Sequence, residues 1–244
     1  VWSGQIHRPT RDLDLLGFGE PSQERFTNEF RKLCKLKVEP DGLVFDAASV
    51  RTEEIREDAE YRGIRIRLRA KLEKARIDLQ VDIGFGDSIT PDPVDTNYPT
   101  LLDLPAPVVR AYPQETVIAE KLQAMVMLGI ANSRLKDFFD VWTLSRLFDF
   151  RGELLARAIA ATFERRQTAI PDAAPLALTD EFATDPTKRA QWTAFVNRGR
   201  FADCPTDLQK LIEPLREFLL PPLTALNSGR PFDQHWPAGG PWQD

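Results

Sequence analysis

Asp12 and Asp14 are two apart in a stretch, Thr10 to Leu15, whose side chains alternate polar and apolar, which is the period of a strand. Both carboxylates then leave one face, roughly 6–7 Å apart along the backbone, with Leu13 and Leu15 turned toward a core. Two like charges side by side repel. A divalent cation between them removes the repulsion, and Mg²⁺ favours one or two carboxylates plus phosphate oxygens. An isolated D-x-D is common, and a solvated turn is its plainer reading. Asp82 shifts the balance. It lies on the polar face of a second alternating strand, followed by Gly84 and Gly86, and three carboxylates on neighbouring strands of one face can hold metals for phosphoryl transfer. Arg8 and Thr10 continue the spacing of Asp12 and Asp14, offering a guanidinium fork and a hydroxyl to a phosphate. The competing reading of Arg8 is a surface salt bridge, worth under about 1 kcal/mol.

A second group lies in the later half of the chain. Ile118, Leu122, Met125 and Val126 form a helical apolar stripe, and Lys121 falls along it or at its edge. Such a lysine either snorkels out to water or meets a buried anion. The next helical segment is apolar nearly all round, from Leu135 through Phe138, Phe139, Val141, Trp142, Leu144 and Leu147 to Phe148, yet it carries Asp137 and Asp140. Acids there are costly without a cation or hydrogen bonds. They pair with Arg134 or a helix end, or else they meet Lys121 or a substrate across a cleft.

The elements that must position these residues divide the chain near residue 112. Before it, a strand over 10–15, a helix from Ser22 to Lys37 with Ser22 as N-cap, and a short strand at Leu43–Phe45 lead to the clearest pair. There Ile64, Ile66 and Leu68 alternate with Arg65, Arg67 and Arg69, and Ile77, Leu79, Val81, Ile83 and Phe85 alternate with Arg76, Asp78, Gln80 and Asp82. One apolar and one polar face per strand predicts an antiparallel sheet backed by helices. The three arginines, extended by Lys71, Lys74 and Arg76, form a candidate positive face for nucleic acid, or a solvated face balanced by Glu57, Asp58 and Glu60. Ser88 to Pro107 has no period and reads as a loop. After Pro113 the pattern is helical, at about 113–128, 134–148, 152–165, 186–198 and 206–219. A Pro/Gly-rich tail from Pro221 follows, pinned by Phe232, Trp236 and Trp242. The expectation is an α+β domain over 1–112 and a helical domain over 113–244.

Composition sets the outer limits. Net charge is −5, from 32 basic and 37 acidic residues, which argues against a protein that coats nucleic acid but leaves room for a local basic patch. Two cysteines and two histidines make a disulfide framework, a zinc site or a Ser-His-Asp triad poor explanations. No stretch approaches the roughly 18–20 apolar residues of a membrane span, and the start has no signal-peptide pattern, so the expected location is the cytoplasm.

Four stretches, in order, resemble the AbiEii/AbiGii toxin family of nucleotidyltransferases. They are Arg8-Pro-Thr-Arg-Asp-Leu-Asp-Leu15, Gln80-Val-Asp-Ile-Gly-Phe-Gly-Asp87, Glu115-Thr-Val-Ile-Ala-Glu-Lys-Leu-Gln-Ala-Met125 and Arg134-Leu-Lys-Asp-Phe-Phe-Asp140. The likeness extends to Gln191-Trp-Thr-Ala-Phe195 and the Pro/Trp tail. It implies a DNA polymerase β-like nucleotidyltransferase core, a mixed sheet with helices, followed by an all-helical C-terminal lobe. It also implies the toxin half of a bacterial toxin–antitoxin or phage-defence (abortive infection) pair. Residue by residue, it implies Asp12 and Asp14 as metal-binding acids with Asp82 as the acid of the following strand. Lys121 becomes the lysine of the E-K-L helix, while Asp137 and Asp140 become the acids of the K-D-x-x-D helix. The implied cofactor is Mg²⁺, the substrate an NTP whose phosphate charge Lys121 neutralises, with Arg8 and Thr10 added as nucleotide contacts by their strand spacing, and the acceptor RNA, tRNA foremost. A cognate antitoxin, protein or RNA, is the implied partner, with no membrane involved.

Two departures from the family pattern accompany this. Its Gly-Gly or Gly-Ser motif, which precedes the D-x-D and helps hold phosphates, has no counterpart between Val1 and Arg11, and Gln80 stands where some members carry a basic residue. The first implies an N-terminally truncated chain or one that has lost part of its nucleotide site. The leading expectation is therefore an Mg²⁺-dependent nucleotidyltransferase toxin. A truncated, non-catalytic binding module is the alternative, and a metal-dependent phosphohydrolase built on the same acids is the third.

Overall fold

The computed structural model describes residues 12–56, 62–100, 105–199, 201 and 203–244. The chain forms two compact units divided between Asp87 and Ser88. The first contains β1 (Asp12–Gly17), α1 (Gln23–Leu33), β2 (Leu43–Arg56), β3 (Arg62–Leu72) and β4 (Ala75–Phe85). Its sheet has the order β1-β4-β3-β2, with β1 parallel to β4 and the other pairs antiparallel. The β3–β4 hairpin closes with Leu72 opposite Ala75, and Glu73 takes the left-handed turn conformation at φ 51°. On the apolar face Ile64, Ile66, Val81 and Ile83 are buried against Phe26 of α1, with Phe30 packed beside them. Each such aliphatic side chain stabilises the fold by about 1.5–3 kcal/mol. Ser22 caps α1 as expected, its Oγ accepting from the Arg25 amide at 3.2 Å.

Three features of this unit differ from the sequence expectation. The helix ends at Leu33, so Leu36 lies beyond it and is exposed. The short strand at Leu43 runs on to Arg56, because a bulge between Asp46 and Arg51 resets its alternation. Leu13 and Leu15, expected in the core, are 46% and 42% exposed. β1 is an edge strand, and the α1 rings cluster with side chains of β2, β3 and β4.

The second unit opens with a two-stranded antiparallel ribbon, β5 (Val94–Asn97) with β6 (Val108–Ala111), where a structureless loop was expected. Thr116 joins this segment to the helices, its hydroxyl donating to the Thr90 carbonyl at 2.8 Å and accepting from the Thr90 amide at 2.9 Å. The helices are α2 (Gln114–Leu128), α3 (Leu135–Leu147), α4 (Gly152–Arg165), α5 (Asp180–Thr184), α6 (Pro186–Gly199) and α7 (Leu208–Asn227). β7 (Phe150–Arg151) lies between α3 and α4 and pairs with β8 (His235–Trp236) from the tail.

Gly129, at φ 47°, ends α2 where the sequence placed the stop. By contrast, α7 continues through Pro221 and Pro222 to Asn227, although proline removes a helical hydrogen bond. Its apolar side outweighs that cost: Leu211, Leu215, Phe218, Leu219 and Leu223 all enter the core. The tail is pinned by its tryptophans as expected. Trp236 Nε1 donates to the Ser145 carbonyl at 2.7 Å, Trp242 Nε1 donates to the Phe218 carbonyl at 3.0 Å, and the Trp242 ring stacks on Phe218.

Candidate active site

In the sheet unit, β1 and β4 run side by side with Asp12 opposite Gln80 and Asp14 opposite Asp82. Register partners share a face, so the three carboxylates occupy one polar surface, opposite the one that buries Ile64 and Ile66. Asp12 and Asp14 are exposed. Asp82 is largely covered and committed. Arg65 on β3, its register partner, donates from Nε to Oδ1 at 2.9 Å and from Nη2 to Oδ2 at 2.8 Å, and Gln80 Nε2 adds a third hydrogen bond at 3.2 Å. The bond to Asp82 raises the already high pKa of Arg65 against the opposing effect of burial, and Glu53 and Asp12 reinforce it. The guanidinium is thus fixed as a cation beneath the acidic face.

Arg65 therefore belongs to this cluster and not to a free basic strip. Arg67 and Arg69 are balanced as well, since Arg67 meets Glu53 at 3.0 Å and Arg69 meets Asp78 at 3.3 Å. The other acids considered for that balance, Glu57, Asp58 and Glu60, lie outside the described residues, as do Arg8 and Thr10. Sequence reading missed Arg65 and Gln80 as partners of Asp82. The signal was present, because a hairpin closing at Leu72 and Ala75 must set Arg65 opposite Asp82.

The donor set fits Mg²⁺ in part. Asp12 and Asp14 supply two exposed hard-oxygen carboxylates on one face, which suits an ion that completes its shell with phosphate oxygens and water. Asp82 fits less well, because both its oxygens are turned to Arg65. Among the described residues, no three acidic, histidine or cysteine side chains are grouped closely enough to hold a metal.

In the helical unit, Lys121 of α2 meets the two acids of α3. Its Nζ lies 2.7 Å from Asp137 Oδ1 and 2.8 Å from Asp140 Oδ2. All three side chains are largely buried, at 17%, 7% and 18% exposure. Burial acts to lower the Lys121 pKa, but the two carboxylates outweigh it and hold the ammonium above the ordinary lysine value. As ion pairs the three groups sum to one negative charge, so this lysine is engaged by acids and does not snorkel. On the same helix, burial raises the Glu115 carboxyl above its usual range, with a backbone hydrogen bond opposing.

A second buried lysine, Lys188 of α6, went unnoticed in the sequence. Its Nζ donates to the Asn132 carbonyl at 2.9 Å and to Gln191 Oε1 at 3.4 Å, with the Phe182 ring 5.7 Å away. It ties α6 to the turn after α2.

The protein is thus of the α+β class, with a D-x-D pair beside a third acid on one sheet face and that acid braced by arginine. The chain belongs to the AbiEii family, described as nucleotidyl transferase toxins of type IV toxin–antitoxin systems, whose sequence profile matches residues 1–214. Membership implies an antitoxin partner. No curated protein matches the chain. Among solved structures, JHP933 from Helicobacter pylori is similar at 15% identity and a TM-score of 0.47, over 91% of this chain and 82% of that one. A second H. pylori structure, a candidate nucleotidyltransferase, gives the same identity and score over 92% and 83%. No helix among the described residues is long and apolar enough to cross a membrane.

Proposed function

We propose that this chain is the nucleotidyltransferase toxin of a type IV pair, moving a nucleoside monophosphate from an NTP to an RNA acceptor, tRNA foremost. The observation that carries this reading is the placement of Asp12 and Asp14 on one sheet face, with Asp14 directly opposite Asp82. Family membership supports it. Asp12 and Asp14 would hold Mg²⁺, which when bound neutralises phosphate charge and makes a hydroxyl easier to deprotonate. Asp82, oriented by Arg65 and Gln80, accepts a hydrogen bond from the attacking hydroxyl and aligns it. Arg65 contributes positive charge beside the phosphates while its fork stays on Asp82. Lys121 in the helical unit takes the phosphate-binding role that the family resemblance gives it, held in one rotamer by Asp137 and Asp140. Catalysis of this kind is mainly positioning and charge neutralisation. The setting would be the cytoplasm and the wider role abortive infection.

The test is incubation of the protein with Mg²⁺, total RNA and each NTP in turn, labelled at the α- or the γ-phosphate. Label on RNA from α-labelled but not γ-labelled NTP is the expected result. Free labelled monophosphate with unlabelled RNA would replace transfer by hydrolysis. The engagement of both Asp82 oxygens by Arg65 favours a second reading, the non-catalytic binding module, and NTP left intact in every arm would establish it.

A further inference from the structure

At the β2 edge of the sheet unit, the bulge in that strand and the C-terminal end of α1 border an open concavity of about 990 Å³. Arg31, Lys35, Arg51 and Lys71 line it, with Val44 and Phe45 among its apolar contributors and Asp46 as the one carboxylate among the described lining residues. Helix-end cations such as Arg31 are common, because they complement the helix dipole. That explanation covers Arg31 and Lys35, just past the cap, but not Arg51 or Lys71. Asp46 Oδ1 accepts the Ala48 amide at 3.0 Å, and its single charge answers at most one of the four cations. Arg51 donates to the Ala48 and Val50 carbonyls at 2.8 and 2.9 Å, contacts that fix its position and leave its charge uncompensated. Among the described residues, Arg31, Lys35 and Lys71 have no carboxylate partner.

The strand register adds an independent sign. Lys71 lies directly opposite Arg76, and Arg51 directly opposite Arg67. Like charges facing each other across strands destabilise a sheet; Arg67 is already answered by Glu53, which leaves Lys71 and Arg76 as the unrelieved pair beside the concavity in a chain whose net charge is −5. An anionic ligand would relieve it. Phe45, 38% exposed, and Val44, 65% exposed, specify the anion further. An uncovered aromatic ring beside a basic groove suits a single strand, whose base faces are open to stacking, whereas a duplex hides them.

We propose that this concavity binds the phosphodiester backbone of single-stranded RNA, with Arg31, Lys35, Arg51 and Lys71 meeting phosphates and Phe45 stacking a base. The assignment rests on the transferase reading only in taking that strand to be the acceptor. Asp12, Gln80, Arg67 and Arg51 form one continuous register row across the sheet. Three inter-strand spacings, about 14 Å, therefore separate Asp12 from the edge where the RNA would lie, which keeps the site distinct from the acidic cluster.

The test measures binding of a fluorescein-labelled oligouridylate across a salt series, with neither NTP nor metal present, so that failed transfer chemistry cannot mask the result. The variant Arg31→Gln/Lys35→Gln/Lys71→Gln leaves Arg51 to hold the bulge, and its unfolding temperature is checked against wild type. It is expected to weaken binding and to flatten the log K against log salt slope by about 2, at roughly 0.7 per lost phosphate contact. Phe45→Ala is expected to weaken binding roughly tenfold without changing the slope, as loss of one stacked base should. Absence of wild-type binding, or unchanged affinity and slope in the triple variant, would overturn the assignment. So would polyglutamate competing as well as RNA while Phe45→Ala has no effect, which would make the concavity a site for an acidic protein.

Discussion

Asp12 and Asp82 are the same residue type on one sheet face, but they hold different things. Asp12 is exposed, so its replacement disturbs no core. Asp12→Asn is expected to abolish nucleotide transfer while the unfolding temperature stays level or rises, since one source of repulsion is removed. Asp82→Asn also removes a carboxylate, but it takes a two-point partner from Arg65, whose side chain is only 29% exposed. Charge-assisted bonds of this geometry are among the stronger ones, and their loss should cost about 1–3 kcal/mol. Parallel melting and transfer assays separate the two. A stability loss in Asp12→Asn equal to that in Asp82→Asn would make Asp12 structural. The cysteines provide a second contrast. Burial pushes the Cys204 thiol up to about 11, so it should stay unmodified by iodoacetamide at pH 8 until the protein unfolds. Labelling of Cys204 at the rate of a free thiol would show that its burial is transient.

At the scale of elements, the contact between α2 and α3 makes the sharpest demand on the fold. Removing one member of a buried ion cluster leaves the others uncompensated, typically at a cost of 3–5 kcal/mol. Lys121→Met should therefore destabilise the protein by about 3 kcal/mol or more. Lys121→Met/Asp137→Asn/Asp140→Asn, which removes all three charges together, should recover most of that. Urea midpoints at pH 7 decide it, and a harmless Lys121→Met would mean that Asp137 and Asp140 are satisfied without the lysine. The pH dependence has a definite sign. The folded-state pKa of Lys121 is raised above its unfolded value, so its contribution is complete below about pH 10.4 and fades only as pH climbs through the folded value. This pairing was one of two outcomes that the sequence left open, because helical spacing places Lys121 on a stripe without naming its neighbour. α2, α3, α4 and α6 were legible from their 3.6-residue period and end signals. β2 was not, because its bulge breaks the alternation by which strands are recognised. The end of α7 was hidden by Pro221 and Pro222, whose local penalty is outweighed by core packing that no local pattern reveals.

At the scale of the molecule, the two units enclose cores of very different size. Among the described residues of the sheet unit, seven apolar side chains, from Phe26 to Ile83, form the buried cluster. The helical unit buries a far larger set, from Ile118 on α2 to Trp236 in the tail. The sequence anticipated the order, sheet first and helices after, because period 2 gives way to period 3.6 along the chain. It could not place the division at Ser88, because the bonds between Thr90 and Thr116 come from a segment with no period of its own. Hydrophobic burial scales with the apolar area removed from water, and local stability follows the density of such contacts. Native-state hydrogen exchange followed by mass spectrometry is therefore expected to show amides of α2, α4 and α7 protected to higher opening free energies than those of β1–β4. Low concentrations of urea should widen the gap. Ile66→Ala, which empties a fully buried position in the sheet, should cost about 2–5 kcal/mol and lower protection across β2, β3 and β4. Leu215→Ala, equally buried in α7, should lower it across the helices. Equal protection of both units in wild type, with each substitution lowering both alike, would show that the sheet and the helices open as a single cooperative structure.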